Sequence, residues 1–129
     1  MFNKGKIIGL DIDLSHFYEN ENNLRNKGAF KNNNIFLYEF DQFKADSSFF
    51  QTILGNKKIN IVIDDGVHFD EAIINTFNSI YPFLSEDFLY IIEDNTTAYK
   101  KICDKFDNLK VYNFGEITFI ISENINFNN

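Results

Sequence analysis

The sequence is poor in cysteine, proline and positive charge, and it contains no long apolar run. A single cysteine, Cys103, among 129 residues excludes an internal disulfide and suits a reducing compartment, so we expect a cytoplasmic protein with a structural thiol. The net charge of −7 argues against nucleic acid or an anionic membrane as the main partner. No apolar run approaches the roughly 20 residues of a membrane span, and the first residues do not form a signal peptide.

The remaining composition is that of a packed protein. Hydrophobic residues make up 44% of the chain and aromatic residues 17%, so we expect one α/β domain over residues 1–129. The apolar patterns predict the order β-α-β-α-β-α-β-α-β-β, which is typical of a mostly parallel sheet with helices on both faces. A C-terminal antiparallel β-hairpin, residues 110–122, should add to one edge of that sheet. The single proline, Pro82, should kink or end the amphipathic helix at about Tyr81.

The stretch of residues 59–68, INIVIDDGVH, organises the rest of the chain. Its apolar run predicts a buried parallel strand that ends in two acids, a glycine and a histidine. The strand over residues 88–92 repeats the design and is followed by Glu93 and Asp94. The carboxyl ends of neighbouring parallel strands meet at one sheet edge, where ligands bind in open α/β sheets. Four carboxylates at that edge would repel one another unless a cation intervened, so this concentration of charge needs an explanation.

Four motifs carry a resemblance to a known family: GLDID (9–13), YEFDQF (38–43), IVIDDGVH (61–68) and YIIED (90–94). In this order they resemble the Rossmann-like, class I methyltransferases that depend on S-adenosylmethionine. The chain looks most like the metal-dependent sugar O-methyltransferases of macrolide biosynthesis, from their second strand to their last. The resemblance implies S-adenosylmethionine and Mg²⁺ as cofactors, and a saccharide or similar hydroxylated small molecule as substrate.

The resemblance implies that acids in the first half of the chain bind the cofactor. The acid that ends the family's second strand holds the ribose hydroxyls; here it is Asp11, with Asp13 as the second candidate. The alternative is a loop aspartate that caps the following helix, for which Ser15 is also an N-cap candidate. The other residues assigned to the cofactor are Asp41, Gln42, Asp64 and Gly66.

The resemblance also implies a magnesium site and a general base. Asp65, Glu93 and Asp94 match the positions that bind a divalent cation in the sugar methyltransferases, and carboxylate oxygens suit Mg²⁺. His68 matches the base that takes the proton of the substrate hydroxyl, since imidazole can exchange a proton near neutral pH. The alternative is structural: His68 or Asp70 would merely begin a helix, and Asp94 would cap the next one.

The family's first strand and its glycine-rich loop have no counterpart in this sequence, so we expect a chain that is N-terminally truncated relative to that family. The loop lets backbone amides approach the cofactor, so tight cofactor binding by this chain alone is in doubt. We expect either a missing N-terminal segment or a homo-oligomer. The resemblance implies that this first strand is the central one of the sheet, between the strands at Lys6–Leu10 and Ile59–Ile63. Without it, we predict that these two strands pair directly; otherwise both of their open edges must be covered.

Two other functions stay open. A degenerate relative could keep the fold and act as a binding or assembly module without catalysis. A phosphatase of the haloacid dehalogenase type would use Asp11–Ser15 (DIDLS) as its nucleophile motif, Asp64 and Asp65 on Mg²⁺, and Lys57 or Lys58 on the phosphate.

Overall fold

Helices and strands alternate along the chain in the order that the sequence predicts. The computed structural model describes residues 5–31 and 33–123. The strands are β1 (Ile7–Asp11), β2 (Ile35–Glu39), β3 (Ile59–Asp64), β4 (Leu84–Ile92), β5 (Leu109–Phe114) and β6 (Ile117–Ser122). The helices are α1 (Ser15–Asn26), α2 (Ser47–Leu54), α3 (Asp70–Ile80) and α4 (Ala98–Cys103). The longest helix in the described ranges has 12 residues, and none is long and apolar enough to cross a bilayer.

The chain divides into two compact units, Met1–Asp41 and Gln42–Asn129. In the first unit, β1 and β2 pair in parallel and α1 forms the connection between them. A Cβ atom at Gly9 would lie only 2.6 Å from Cδ2 of Leu37, so glycine allows the side chain of β2 to pack directly over β1. This unit is therefore a single β-α-β element.

The second unit contains a four-stranded sheet in the order β3-β4-β6-β5. β3 and β4 are parallel, whereas β6 runs antiparallel to both β4 and β5. β5 and β6 are joined by the two-residue turn Gly115-Glu116, where Gly115 has a φ of 73°, a conformation that glycine adopts without steric cost. The predicted C-terminal hairpin at the edge of the sheet is confirmed.

α3 supplies the core of the second unit. Phe77 is fully buried, and its ring meets that of Tyr90 edge to face with 4.9 Å between centroids. Burial of such a side chain contributes roughly 1.5–3 kcal/mol. α3 ends at Ile80, and Pro82 lies in the short 3₁₀ turn that follows. The prediction that the proline ends this helix is confirmed.

The two faces of this sheet differ in exposure. Tyr90 and Ile92 of β4 are buried on the face that packs against the core. Ile61 and Ile63 of β3 alternate with the core-facing positions and are 50% and 60% exposed. Among the described residues, β3 has a ladder partner on one side only, which is β4.

The predicted pairing of Lys6–Leu10 with Ile59–Ile63 is wrong for the described residues. β1 pairs with β2 and β3 pairs with β4, and the two pairs belong to separate sheets. Each parallel pair consists of consecutive strands joined by a helical connection, which is the most common way for strands to become neighbours. Each strand has two edges, so these local pairings do not by themselves exclude the predicted one; β1 and β3 belong to different compact units, and no ladder joins them among the described residues.

Candidate metal centre

The end of β3 sends two adjacent carboxylates to opposite sides. Asp64, the last residue of β3, is only 5% exposed, whereas the side chain of Asp65 is 61% exposed. Successive side chains of an extended chain alternate in direction, so one aspartate enters the core and the next one faces solvent. The two acids of the motif therefore have different roles.

Asp65, His68 and Asp94 form a cluster at the carboxyl ends of β3 and β4. One ligand atom from each residue can be chosen so that all three lie within 4.8 Å of one another. Nε2 of His68 is 3.4 Å from Oδ1 of Asp65. The parallel pairing of Asp64 with Ile92 brings the two following loops side by side. The sequence prediction that these strand ends meet is confirmed.

Glu93 is close in sequence but is not a member of this cluster within the described part of the chain. Its backbone N–H donates to the carbonyl of Asp64 at 3.0 Å, which extends the ladder between β3 and β4 by one bond. Glu93 is half-buried, whereas Asp94 is exposed. The cluster thus contains two of the three predicted metal-binding carboxylates together with the predicted base.

Two residues of the cluster have a left-handed backbone. His68 has a φ of 59° and Asp94 a φ of 52°, values that residues other than glycine seldom adopt. Such a conformation costs of order 1–3 kcal/mol and persists only where surrounding contacts determine it. Here Nδ2 of Asn95 donates to the carbonyl oxygen of His68 at 2.9 Å, which joins the two loops directly.

Asn95, and not Asp94, makes the capping hydrogen bonds at the start of α4. Its Oδ1 accepts from the backbone N–H groups of Thr97 and Ala98 at 2.9 and 2.8 Å, so Asn95 satisfies the start of α4. Asp94 is therefore not the cap of that helix. Sequence reasoning missed Asn95, which precedes the first residue of α4 by three positions, although asparagine side chains are known to accept from backbone N–H groups two or three residues on.

Asp70 does begin a helix, as the structural alternative allowed. Its Oδ1 accepts from Nδ2 of Asn95 at 3.0 Å and from the hydroxyl of Thr97 at 2.7 Å. These hydrogen bonds, with a smaller contribution from Lys101, lower the pKa of the Asp70 carboxyl below its usual value. Asp70 thus holds α3 to the loop before α4.

A buried polar network lies beneath the cluster. The hydroxyl of Tyr90 donates to Oδ2 of Asp64 at 2.6 Å, and Nε2 of Gln42 donates to Oδ1 at 2.7 Å. Burial raises the pKa of Asp64 above its usual value, although these hydrogen bonds oppose the shift. Burial, with the charge of Asp64, raises the pKa of Tyr90 well above its usual value.

Gln42 connects this network to the loop that carries His68. Its Oε1 accepts from the backbone N–H of Val67 at 2.9 Å. A Cβ atom at Gly66 would lie 2.0 Å from the same oxygen, so only glycine leaves room for the amide. Of the residues predicted to bind the cofactor, Gln42, Asp64 and Gly66 are thus in contact with one another; their contact with a cofactor stays a prediction.

The predicted cofactor acids of the first unit have local partners. Oδ1 of Asp11 accepts from the N–H of Asp13 at 3.1 Å, and Oδ1 of Asp13 accepts from the N–H of Ser15 at 2.8 Å. The hydrogen bonds to Ser15 lower the pKa of Asp13. Asp13 therefore supports the start of α1, while Asp11 ends β1 and is exposed. Asp41 is the last residue of this unit.

No protein-family model matches the chain. One curated relative is a mycinamicin VI 2''-O-methyltransferase of Micromonospora griseorubida, 36% identical over 100 residues, or 76% of this chain and 21% of the relative. Another is the 8-demethyl-8-alpha-L-rhamnosyl tetracenomycin-C 2'-O-methyltransferase of Streptomyces olivaceus, 42% identical over 41 residues, or 32% of this chain and 11% of the relative. The chain thus spans about a fifth or less of the length of these relatives.

Solved structures of the MycE methyltransferase of the mycinamycin biosynthetic pathway resemble the chain. One of them, a complex with Mg, SAH and mycinamycin VI, superposes with a TM-score of 0.65 at 22% identity, over 92% of this chain and 36% of that chain. A second, with Mg and SAH, gives the same TM-score at 21% identity. At these identities the likeness establishes the fold.

Proposed function

We propose that this chain, which has the Rossmann-like fold of S-adenosylmethionine-dependent sugar O-methyltransferases, forms the metal- and acceptor-binding part of such an enzyme. The observation that supports the proposal most strongly is the cluster of Asp65, His68 and Asp94 at the ends of β3 and β4. The acceptor would be the hydroxyl of a sugar or of a similar small molecule, as the names of the relatives suggest.

The donor set of the cluster fits a divalent cation. Asp65 and Asp94 offer carboxylate oxygens, which Mg²⁺ and Mn²⁺ prefer, and both residues are exposed, so that water and a substrate hydroxyl could complete the coordination. Like charges this close destabilise the fold unless a cation neutralises them. Glu93 stays the candidate for a third carboxylate.

His68 would act as the general base. Its Nε2 lies 3.4 Å from Oδ1 of Asp65, and its side chain is 38% exposed, so the imidazole is accessible to a substrate beside the carboxylate. When bound, the cation would lower the pKa of the acceptor hydroxyl, and S-adenosylmethionine would supply the methyl group. With the Nε2–H of His68 donating to Asp65, Nδ1 is the ring nitrogen that would receive the hydroxyl proton, and Asp65 would stabilise the resulting imidazolium.

Cofactor binding is the less supported half of the proposal. Asp11 has an exposed carboxylate at the end of β1, where it could accept from ribose hydroxyls, but the sequence contains no glycine-rich loop. One second candidate is a methyltransferase-like module that binds metal without catalysis, which the cluster of Asp65, His68 and Asp94 would also serve. The methyltransferase fold leaves the phosphatase alternative without support.

Calorimetric titration of the full chain separates these functions. We expect Mg²⁺ to bind the wild type and not Asp65→Ala, because that variant loses a carboxylate of the cluster. S-adenosylhomocysteine binding as well would support the methyltransferase, whereas Mg²⁺ binding alone would support the module. If Asp65→Ala binds Mg²⁺ as well as the wild type does, the proposed site is wrong.

A further inference from the structure

Two amide side chains hold the His68 loop, defined as residues 64–68. Gln42 bridges the first residue of the loop and Val67: it donates to Oδ1 of Asp64 at 2.7 Å and accepts from the N–H of Val67 at 2.9 Å. Its Nε2 is also 3.3 Å from the hydroxyl of Thr76 on α3. Both ends of the amide are therefore used, and the loop is joined to a buried helix.

Asn95 contacts the last residue of the loop. It is 8% exposed, and its Nδ2 donates to the carbonyl oxygen of His68 at 2.9 Å and to Oδ1 of Asp70 at 3.0 Å. Because Asn95 directly follows Asp94, this single side chain connects the two loops that supply the cluster. Any movement of the His68 loop away from Asp94 must break the hydrogen bond to Asn95.

The cluster has physical reasons to need such restraint. Asp65 and Asp94 are like charges at close range, and repulsion between them favours separation of the two loops. His68 and Asp94 also have left-handed backbones, which relax unless neighbouring contacts hold them. Binding sites that bring their ligand groups together in advance bind more tightly, because less order must be created on binding.

We propose that Gln42 and Asn95 are positioning residues for the cluster of Asp65, His68 and Asp94, which they hold in a geometry ready to bind a divalent cation. The inference rests on the proposed function, since it concerns the same site. Neither amide belongs to the cluster; each acts through the backbone of the His68 loop.

Titration of the full chain with Mn²⁺ alone, followed by the electron paramagnetic resonance signal of the free ion, tests the inference. Gln42→Met keeps the length of the side chain and removes its hydrogen bonds; Asn95→Ser keeps a capping oxygen but cannot span to His68. We expect each variant to bind Mn²⁺ roughly tenfold more weakly, the lower end of the effect known for residues that orient metal ligands. Ser122→Ala is the matched control, because it loses a buried hydrogen bond to the Glu86 carbonyl at the other end of β4 and should bind as the wild type does.

The outcomes separate this inference from the proposed function. If Asp65→Ala abolishes Mn²⁺ binding while folded Gln42→Met and Asn95→Ser bind within twofold of the wild type, the site exists and the positioning roles are wrong. If Asp65→Ala binds as the wild type does, the proposed site itself fails. Thermal unfolding of each variant shows that it is folded; a decrease in affinity for Ser122→Ala equal to that of the two amide variants would also overturn the inference.

Discussion

Neighbouring aspartates in one motif lie in different environments in this protein. Asp64 is buried and accepts hydrogen bonds from Tyr90 and Gln42, whereas Asp65 is exposed beside His68. The motif alone predicts acids at a strand end but not which one is buried. Which aspartate is buried depends on the register of β3 and β4. Val62 lies opposite Tyr90 in this register, so the hydroxyl of Tyr90 comes within reach of Asp64.

A pH-dependent stability is expected from Asp70, because hydrogen bonds from Asn95 and Thr97 lower its pKa. A carboxyl whose pKa is lower in the folded state adds stability at pH values above its unfolded pKa of 3.8, and this stability is lost as the pH falls through the folded pKa. Asp70→Asn should therefore cost about 1 kcal/mol at neutral pH, and the difference from wild type should vanish in acid. Urea unfolding across this pH range measures it.

Lys101→Met is the control for the same carboxylate. Nζ of Lys101 lies 3.3 Å from Oδ2 of Asp70, but its side chain is 63% exposed, so we expect a cost of less than about 0.5 kcal/mol. A larger loss for Lys101→Met than for Asp70→Asn would mean that the ion pair, and not the hydrogen bonds, makes Asp70 important.

The spacing of apolar residues and the position of the proline were enough to predict several helices and strands. The apolar run of β3 and the stripe of α3 predict those elements, and Pro82 marks the end of the helix. Leu84 continues the helical spacing of the apolar residues Ile73, Phe77 and Ile80. It nevertheless begins β4, because Pro82 has already ended the helix. Ser15, an N-cap candidate, is the first residue of α1, since Asp13 accepts from its N–H.

Phe77 of α3 should be the most sensitive aromatic position. It is 0% exposed and lies 4.9 Å from the ring of Tyr90 and 5.3 Å from that of Phe106. Phe77→Ala leaves a cavity that these neighbours cannot fill and should reduce the free energy of unfolding by about 3–5 kcal/mol. Phe114→Ala, at a site that is 70% exposed, should cost less than about 1 kcal/mol. Chemical denaturation decides the matter; equal losses would contradict this account of the core.

The pairing of strands was the part of the architecture that the sequence did not reveal. The resemblance led us to expect β1 beside β3, yet each pairs with the strand that follows it. Apolar runs predict that strands exist but carry no information on which strands become neighbours. Within the described residues, one edge of β3 therefore has no ladder partner. The side chains of Ile61 and Ile63 on this strand are exposed on one face of the sheet.

This open edge should make the protein prone to self-association. Ile63 is 60% exposed on a strand that, in residues 5–31 and 33–123, has a ladder partner on one side only, and such an edge can pair with another chain. Ile63→Lys should lower concentration-dependent light scattering and leave the free energy of unfolding within about 0.5 kcal/mol of wild type. Ile12→Lys is the control, because Ile12 is 70% exposed and lies outside the strands. Equal effects of the two substitutions would show that the added charge, and not the edge, is responsible.

The metal centre is the claim on which the functional account depends, and diffraction from crystals grown with Mn²⁺ tests it most directly. An anomalous peak should lie within bonding distance of carboxylate oxygens of both Asp65 and Asp94, close to His68. Crystals with no peak at this position, or with the two carboxylates turned away from each other in the presence of Mn²⁺, would contradict the account.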